Sequence, residues 1–138
     1  MIYYLNKEDF KKYSQYSEVL RKNYSVTGDK DLRKEYEDLE KILSKVKVID
    51  DSEKQDNVIY VGDKVEIVFD GEEEKECYNL VIGFPKQLDE VSISSPVGEA
   101  LVQRNIGESR KYTVNGKTFG FTIVGKQSNL IDEDSNER

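Results

Sequence analysis

Residues 10–46 read FKKYSQYSEVLRKNYSVTGDKDLRKEYEDLEKILSKV. Phe10, Tyr13, Ser17, Leu20 and Tyr24 recur at steps of three and four, and beyond a break so do Leu32, Tyr36, Leu39, Leu43 and Val46. Such steps put each set on one face of an α-helix, so the stretch predicts two helices that share a heptad seam. Antiparallel pairing matches Tyr24 with Leu32 at one end and Phe10 with Val46 at the other, which centres the turn on Gly28. Glycine takes the positive φ that ends a helix, and Asp29 or Asp31 then caps the next one by accepting from its unbonded N–H groups. Asn6 is the expected cap of the first helix, with Asp9 three residues on. Eighteen residues from Lys7 to Tyr24 make an arm of roughly 27 Å at about 1.5 Å per residue.

Past this hairpin the period changes from heptad to alternation. Val65, Ile67 and Phe69, then Tyr78, Leu80, Ile82 and Phe84, then Val91 and Ile93 read as strands of a half-buried sheet. A short helix is expected from Ser95 to Val102, with Ser95 at the N-cap and Pro96 at the first helical position, and with Val97 and Leu101 facing the sheet. Asn115-Gly116 between Arg110–Val114 and Lys117–Val124 marks a two-residue type I′ hairpin, which sets Tyr112 opposite Phe119. The fold class is therefore α+β: an N-terminal antiparallel two-helix coiled-coil hairpin, then a mainly antiparallel sheet wrapped on one short helix. The expected divisions are a helical arm at 1–49, a polar linker at 50–57, a globular domain at 58–127 and a disordered tail at 128–138.

Composition narrows the function. The 138 residues suit one modest core plus an appendage, and no apolar run is long enough to span a membrane. The N-terminus MIYYLNKEDF lacks a basic start and an apolar stretch, so a cytoplasmic, soluble protein is expected. With no histidine and one cysteine, Cys77, there is no zinc site, no His-based triad and no internal disulfide, and any chemistry must use carboxylates. A net charge of −7 disfavours duplex DNA as a direct ligand. The charge is also uneven: residues 1–47 carry eleven Lys/Arg against nine Asp/Glu, and residues 48–138 carry ten against nineteen. These observations favour a protein-binding role.

One composite pattern goes further. Ile93-Ser94-Ser95-Pro96-Val97-Gly98-Glu99-Ala100-Leu101, then Asn105-Ile106-Gly107-Glu108 and the Asn-Gly hairpin, with Val61-Gly62-Asp63-Lys64-Val65 and Gly71-Glu72-Glu73 upstream, resembles the C-terminal domain of the bacterial Gre (GreA/GreB) transcription elongation factors. The resemblance covers roughly residues 58–126, and Val48-Ile49-Asp50 is similar to that family's step from arm to linker. It implies an FKBP-like (FK506-binding-protein-like) antiparallel sheet with one short helix. It also implies docking of that domain at the rim of the secondary channel of bacterial RNA polymerase core, while the arm enters the channel. Ser94, Ser95 and Pro96 are then the polymerase-binding corner, set against a coiled coil of the largest subunit. Nucleic acid would be met only indirectly, no membrane is involved, and the protein would act as a monomer and as an accessory factor rather than an enzyme.

In cleaving members of that family the arm's tip carries a Gly-Asp-x-x-Glu-x-x-Glu-Tyr stretch whose acids help to hold a shared Mg²⁺ in the polymerase active site. Gly28, Asp29, Glu35 and Tyr36 match it, Leu32 stands in place of the first Glu, and Asp31 is its neighbour. The arm is also about two heptads short per helix, a deficit of about 20 Å. Both features are similar to the short-armed, non-cleaving relatives of the nucleoside-diphosphate-kinase-regulator type called Rnk. The expectation is an elongation regulator without strong cleavage stimulation and with no metal or cofactor of its own, Asp29, Asp31 and Glu35 being the candidate tip acids. The alternatives are an active cleavage factor using Asp29, and, from another class, a prolyl isomerase, for which the chain offers no tryptophan to floor a proline pocket. Helix capping alone accounts for Asp29, Asp31 and Ser95 without any ligand.

Overall fold

A computed structural model describes residues 1–127. The chain divides into two compact units, Met1–Lys54 and the part from Gln55 onward. The expected tail at 128–138 lies outside the described residues.

The first unit is built on the hairpin. Strand β1 (Tyr3–Leu5) leads into α1 (Lys7–Thr27), α2 (Lys30–Leu43) returns, and β2 (Val46–Val48) pairs in parallel with β1 in the register Tyr3↔Val46 and Leu5↔Val48. Asn6 caps α1, its side-chain oxygen accepting the Asp9 N–H at 2.7 Å, and its Nδ2 donates to Asp51 in a single 3₁₀ turn at Asp51–Glu53. Gly28 ends α1 at φ +70° and donates its N–H to the Tyr24 carbonyl, and Asp29 caps α2. Leu20, Leu39 and Leu43 are buried along the seam, as the heptad spacing requires, and Tyr24 packs on Tyr36 with ring centroids 5.5 Å apart. Ser17, at a seam position, is buried and donates its hydroxyl to Glu40 across the pair at 2.5 Å.

Two expectations at the ends of this hairpin are corrected. Helix α1 runs one turn past Tyr24, to Thr27, because no residue before Gly28 breaks it. Val46 does not extend the seam of α2. The helix stops at Leu43, the Ser44 hydroxyl bonds back to the Lys41 carbonyl, and Val46-Lys47-Val48 becomes a strand, as β-branched residues at alternate positions favour.

The second unit holds five strands: β3 (Lys64–Phe69), β4 (Glu76–Val81), β5 (Glu90–Ser92), β6 (Ser109–Val114) and β7 (Lys117–Gln127), in the spatial order β5-β4-β3-β7-β6, with helix α3 (Pro96–Leu101) between β5 and β6 in the chain. Three pairings are antiparallel, as expected of a mainly antiparallel sheet, and β4–β5 is parallel, which makes the sheet mixed at that edge. The chain reaches β5 by an irregular passage at 82–89, which carries it back to start β5 alongside β4 in the same direction. Phe84 falls in that passage and is half exposed, not at the inward end of a longer strand as its spacing from Ile82 implied. The hairpin is as expected: Asn115 and Gly116 have φ of +52° and +79°, and Tyr112 stacks on Phe119 at 5.3 Å.

Val65, Ile67, Leu80, Ile93, Leu101, Phe121 and Ile123 form the core of this unit. A bulge between Glu66 and Ile67, opposite Val124, shifts the parity of β7 and turns Lys126 inward. Its ammonium donates to Asp63 at 3.1 Å and to the Val58 carbonyl at 2.5 Å, and lies 5.1 Å from the centre of the Tyr60 ring.

Helix α3 is six residues long and rests on β5 through Gly98, where an added Cβ would sit 1.9 Å from the Ser92 carbonyl oxygen. Gly98→Ala is therefore expected to lower unfolding stability by about 3 kcal/mol or more, the upper part of the overpacking range, because the obstacle is backbone and cannot rotate away. With no tryptophan in the chain, urea unfolding followed by far-UV circular dichroism is the suitable measurement.

Candidate functional site

The three acids expected at the arm's tip have different situations. Asp29 is the N-cap of α2, and its Oδ1 accepts the N–H groups of Asp31 at 2.8 Å and Leu32 at 3.2 Å. Its own N–H donates to the Thr27 hydroxyl, which in turn donates to the Asn23 carbonyl, so side chains on both helices brace the turn. Asp31 is exposed in the first turn of α2, where a negative charge faces the positive end of the helix dipole. Glu35 lies farther down the arm and accepts the Tyr16 hydroxyl at 2.6 Å, which ties it across the hairpin. Leu32 is half buried. Among the described residues no group of three or more His, Cys, Asp or Glu side chains is arranged to hold a metal, and the fold joins Asp29 with Asp31 but not with Glu35.

Ser94, Ser95 and Pro96 form the corner between β5 and α3. The Ser95 hydroxyl accepts the Gly98 N–H at 3.1 Å and donates to the Ser92 carbonyl at 2.7 Å, while the Ser94 N–H donates to the Ser92 hydroxyl at 3.1 Å. Ser95 is thus used up in holding the corner, and Ser94 and Pro96 are its exposed members.

Ser94 and Pro96 line a groove of about 480 Å³ between α3 and β6. Its other polar walls are Glu99 from α3, Arg104 just beyond it, and Arg110 and Lys111 from β6, with the Tyr112 ring beside them. Burial raises the Tyr112 hydroxyl above its ordinary pKa. At one end Glu108 is held below the usual carboxylate range, first by the Asn105 N–H it accepts at 2.9 Å, and its other oxygen lies 3.9 Å from Arg110. The Nε atoms of Arg104 and Arg110 are shielded from solvent with no hydrogen-bond partner among the described residues. Sequence reading missed this basic lining. Its signal was the alternation Arg110, Tyr112 on one face of a hairpin strand, but nothing local says which strand becomes the edge beside α3.

Comparisons with known proteins identify the family of the second unit. The family described as "Transcription elongation factor, GreA/GreB, C-term" matches residues 53–126, which include the corner and the groove. A transcription elongation factor GreA of Thermodesulfovibrio yellowstonii is 36% identical over 93 residues, covering 64% of this chain and 57% of that protein. One of Acetivibrio thermocellus is 34% identical over 90 residues, covering 62% and 55%. The chain thus spans little more than half the length of these curated relatives. The solved structure of a prokaryotic transcription elongation factor GreA/GreB from Nitrosomonas europaea covers 91% of this chain and 98% of its own, with a TM-score of 0.57 and 22% identity, a likeness of fold. With more than half of its residues matched, corner and hairpin included, this chain belongs to the GreA/GreB family of transcription elongation factors.

Proposed function

We propose that this protein is a short-armed regulator of transcription elongation that binds bacterial RNA polymerase core at the secondary channel and does not strongly stimulate transcript cleavage. The observation that carries the reading is the family match over residues 53–126, which includes Ser94-Ser95-Pro96. In this reading the domain at 58–127 docks on the largest-subunit coiled coil through that corner, residues 50–57 act as the linker, and the arm at 1–49 enters the channel. The protein is a cytoplasmic monomer and an accessory factor with no cofactor of its own.

The arm supports the non-cleaving form. Helices of 21 and 14 residues are about 31 Å and 21 Å long, Leu32 stands where cleaving relatives carry a carboxylate, and Glu35 is engaged by Tyr16. The kinship with the Rnk type rests on these features.

Docking is tested by competition. The full chain should displace a cleaving Gre factor from core polymerase, and Pro96→Ala with Ser94→Ala should weaken it about tenfold while leaving urea unfolding nearly unchanged, since neither side chain is buried. Simultaneous binding of both factors would refute the shared site.

Cleavage is tested on stalled, backtracked complexes, where little stimulation is expected from the wild type. Asp29→Ala should cost the arm about 1 kcal/mol, as loss of an N-cap does, and leave polymerase affinity within about threefold. Robust RNA hydrolysis by the wild type that is lost in Asp29→Ala would instead assign Asp29 to the shared Mg²⁺ of the polymerase.

A further inference from the structure

We propose that the linker at 50–57 is jointed rather than loose: it turns at one residue, Lys54, and the Tyr60 hydroxyl is the pin that fixes the far side of that joint. Tyr60 is then a positioning residue for the arm. The proposal goes beyond the docking reading, and its test needs no polymerase, so either can fail while the other stands.

The first half of the segment is anchored to the arm. The Ile49 N–H donates to the Leu5 carbonyl at 2.9 Å, and the N–H groups of Glu53 and Lys54 donate to the carbonyls of Asp50 and Asp51 at 2.9 and 3.1 Å, which closes the 3₁₀ turn. The Asp51 carboxylate accepts the Asn6 Nδ2 at 3.1 Å and pairs with the Lys54 ammonium at 3.3 Å. The turn is thereby tied to the residue that caps α1, and the Lys54 N–H is fixed with it.

The second half is anchored to the sheet unit. The Gln55 N–H donates to the Tyr60 hydroxyl at 3.1 Å, the Gln55 carbonyl accepts the Val58 N–H at 3.3 Å, and the Asn57 carbonyl accepts the Ile106 N–H at 2.8 Å, with Val58 bridged to Asn105. Tyr60 is a firm post. It is buried, its own N–H donates to Asp63 at 2.8 Å, and the Lys126 ammonium lies against its ring. Each of these bonds lies within one unit. Peptide groups are planar, so an anchored N–H at 54 and another at 55 leave only the two torsions of Lys54 between them. These are φ −74° and ψ 142°, in the extended region that sterics bound for any residue with a side chain. A loose chain of eight residues would instead let its ends wander by about 16 Å, at about 5.5 Å times the square root of its length. A joint so restricted has less freedom to lose when both units are held by one partner.

The test uses the full chain and two readouts. Cys77, the only cysteine, is exposed on β4, and Ser25→Cys adds a second exposed site on α1, so a pair of spin labels reports the spread of distances between the units by pulsed electron paramagnetic resonance. Amide hydrogen exchange followed by NMR reports the pin itself. Tyr60→Phe keeps the ring and removes only the acceptor. It should quicken exchange of the Gln55 amide about tenfold while leaving that of Ile106 unchanged, and it should broaden the distance distribution. Inserting Gly-Gly-Ser between Lys54 and Gln55 leaves both anchors in place and supplies the loose limit, so the comparison survives even where Tyr60→Phe lowers stability in urea. Wild type should be narrow, the insertion variant broad and Tyr60→Phe in between. A wild-type distribution as broad as that of the insertion variant would show a loose linker and overturn the proposal. An unchanged distribution in Tyr60→Phe, with or without faster exchange at Gln55, overturns the pin. A distribution that stays narrow in the insertion variant places the restraint elsewhere and overturns the joint.

Discussion

The absence of a side chain at residue 98 lets α3 lie against the Ser92 carbonyl, and the architecture of the second unit follows from that approach. Six residues are too few to sustain a helix in water, so α3 exists because it is docked. Ser92 then organises the corner: its carbonyl accepts both the N–H and the hydroxyl of Ser95, at 3.0 and 2.7 Å, while its own hydroxyl accepts from Ser94. The docked helix buries Ala100 and Leu101 in the core. Pro96 fixes the first helical φ at a position where a missing N–H costs nothing. The exposed Ser94 and Pro96 are therefore presented by a rigid corner, which is what a docking surface needs if little ordering entropy is to be lost on binding.

A second constraint holds the other end of the sheet. The bulge that brings Lys126 inward places an ammonium against a buried Asp63, and such a pair is tolerable only with its remaining bonds satisfied. Here the Val58 carbonyl takes another proton of Lys126, and Asp63 also accepts the Tyr60 N–H at 2.8 Å. The result ties the segment at 58–63 to the end of β7. Removing one partner alone would leave a buried charge, whereas the exposed pairs on the arm, such as Arg33–Glu37 and Lys34–Asp38, contribute little.

What the sequence revealed was local. Gly28-Asp29, Ser95-Pro96 and Asn115-Gly116 each carry their conformation in their own chemistry, and the heptad steps through Leu20, Leu39 and Leu43 identify a buried face. What it hid was pairing between distant segments. β2 was invisible because three residues after a helix read as more helix until Tyr3–Leu5, some forty residues earlier, appears beside them. The parallel direction of β5 and the exposure of Phe84 depend on the path of the passage at 82–89, which has no period. Lys126 reads as an exposed residue unless the bulge at Glu66 is known. The groove shared the same blindness. Arg104, Arg110 and Lys111 are ordinary surface cations in the sequence, and only the strand order makes them one lining.

The tip of the arm shows how one carboxylate is divided between folding and chemistry. Both N–H bonds to Asp29 fall on Oδ1, so the cap is a charge-assisted interaction with the first turn of α2. A cation brought to Asp29 would meet the positive end of the α2 dipole and compete with those N–H groups for the same anion. Leu32, whose own N–H is one of the two bound to the cap, is half buried in the seam and supplies no second acid in that turn. Glu35 is turned toward Tyr16, and Asp31 is followed and preceded by Leu32 and Lys30. At the tip, then, the Asp29 carboxylate is spent on capping α2 and that of Glu35 on the Tyr16 hydroxyl, while Asp31 stays exposed in the first turn.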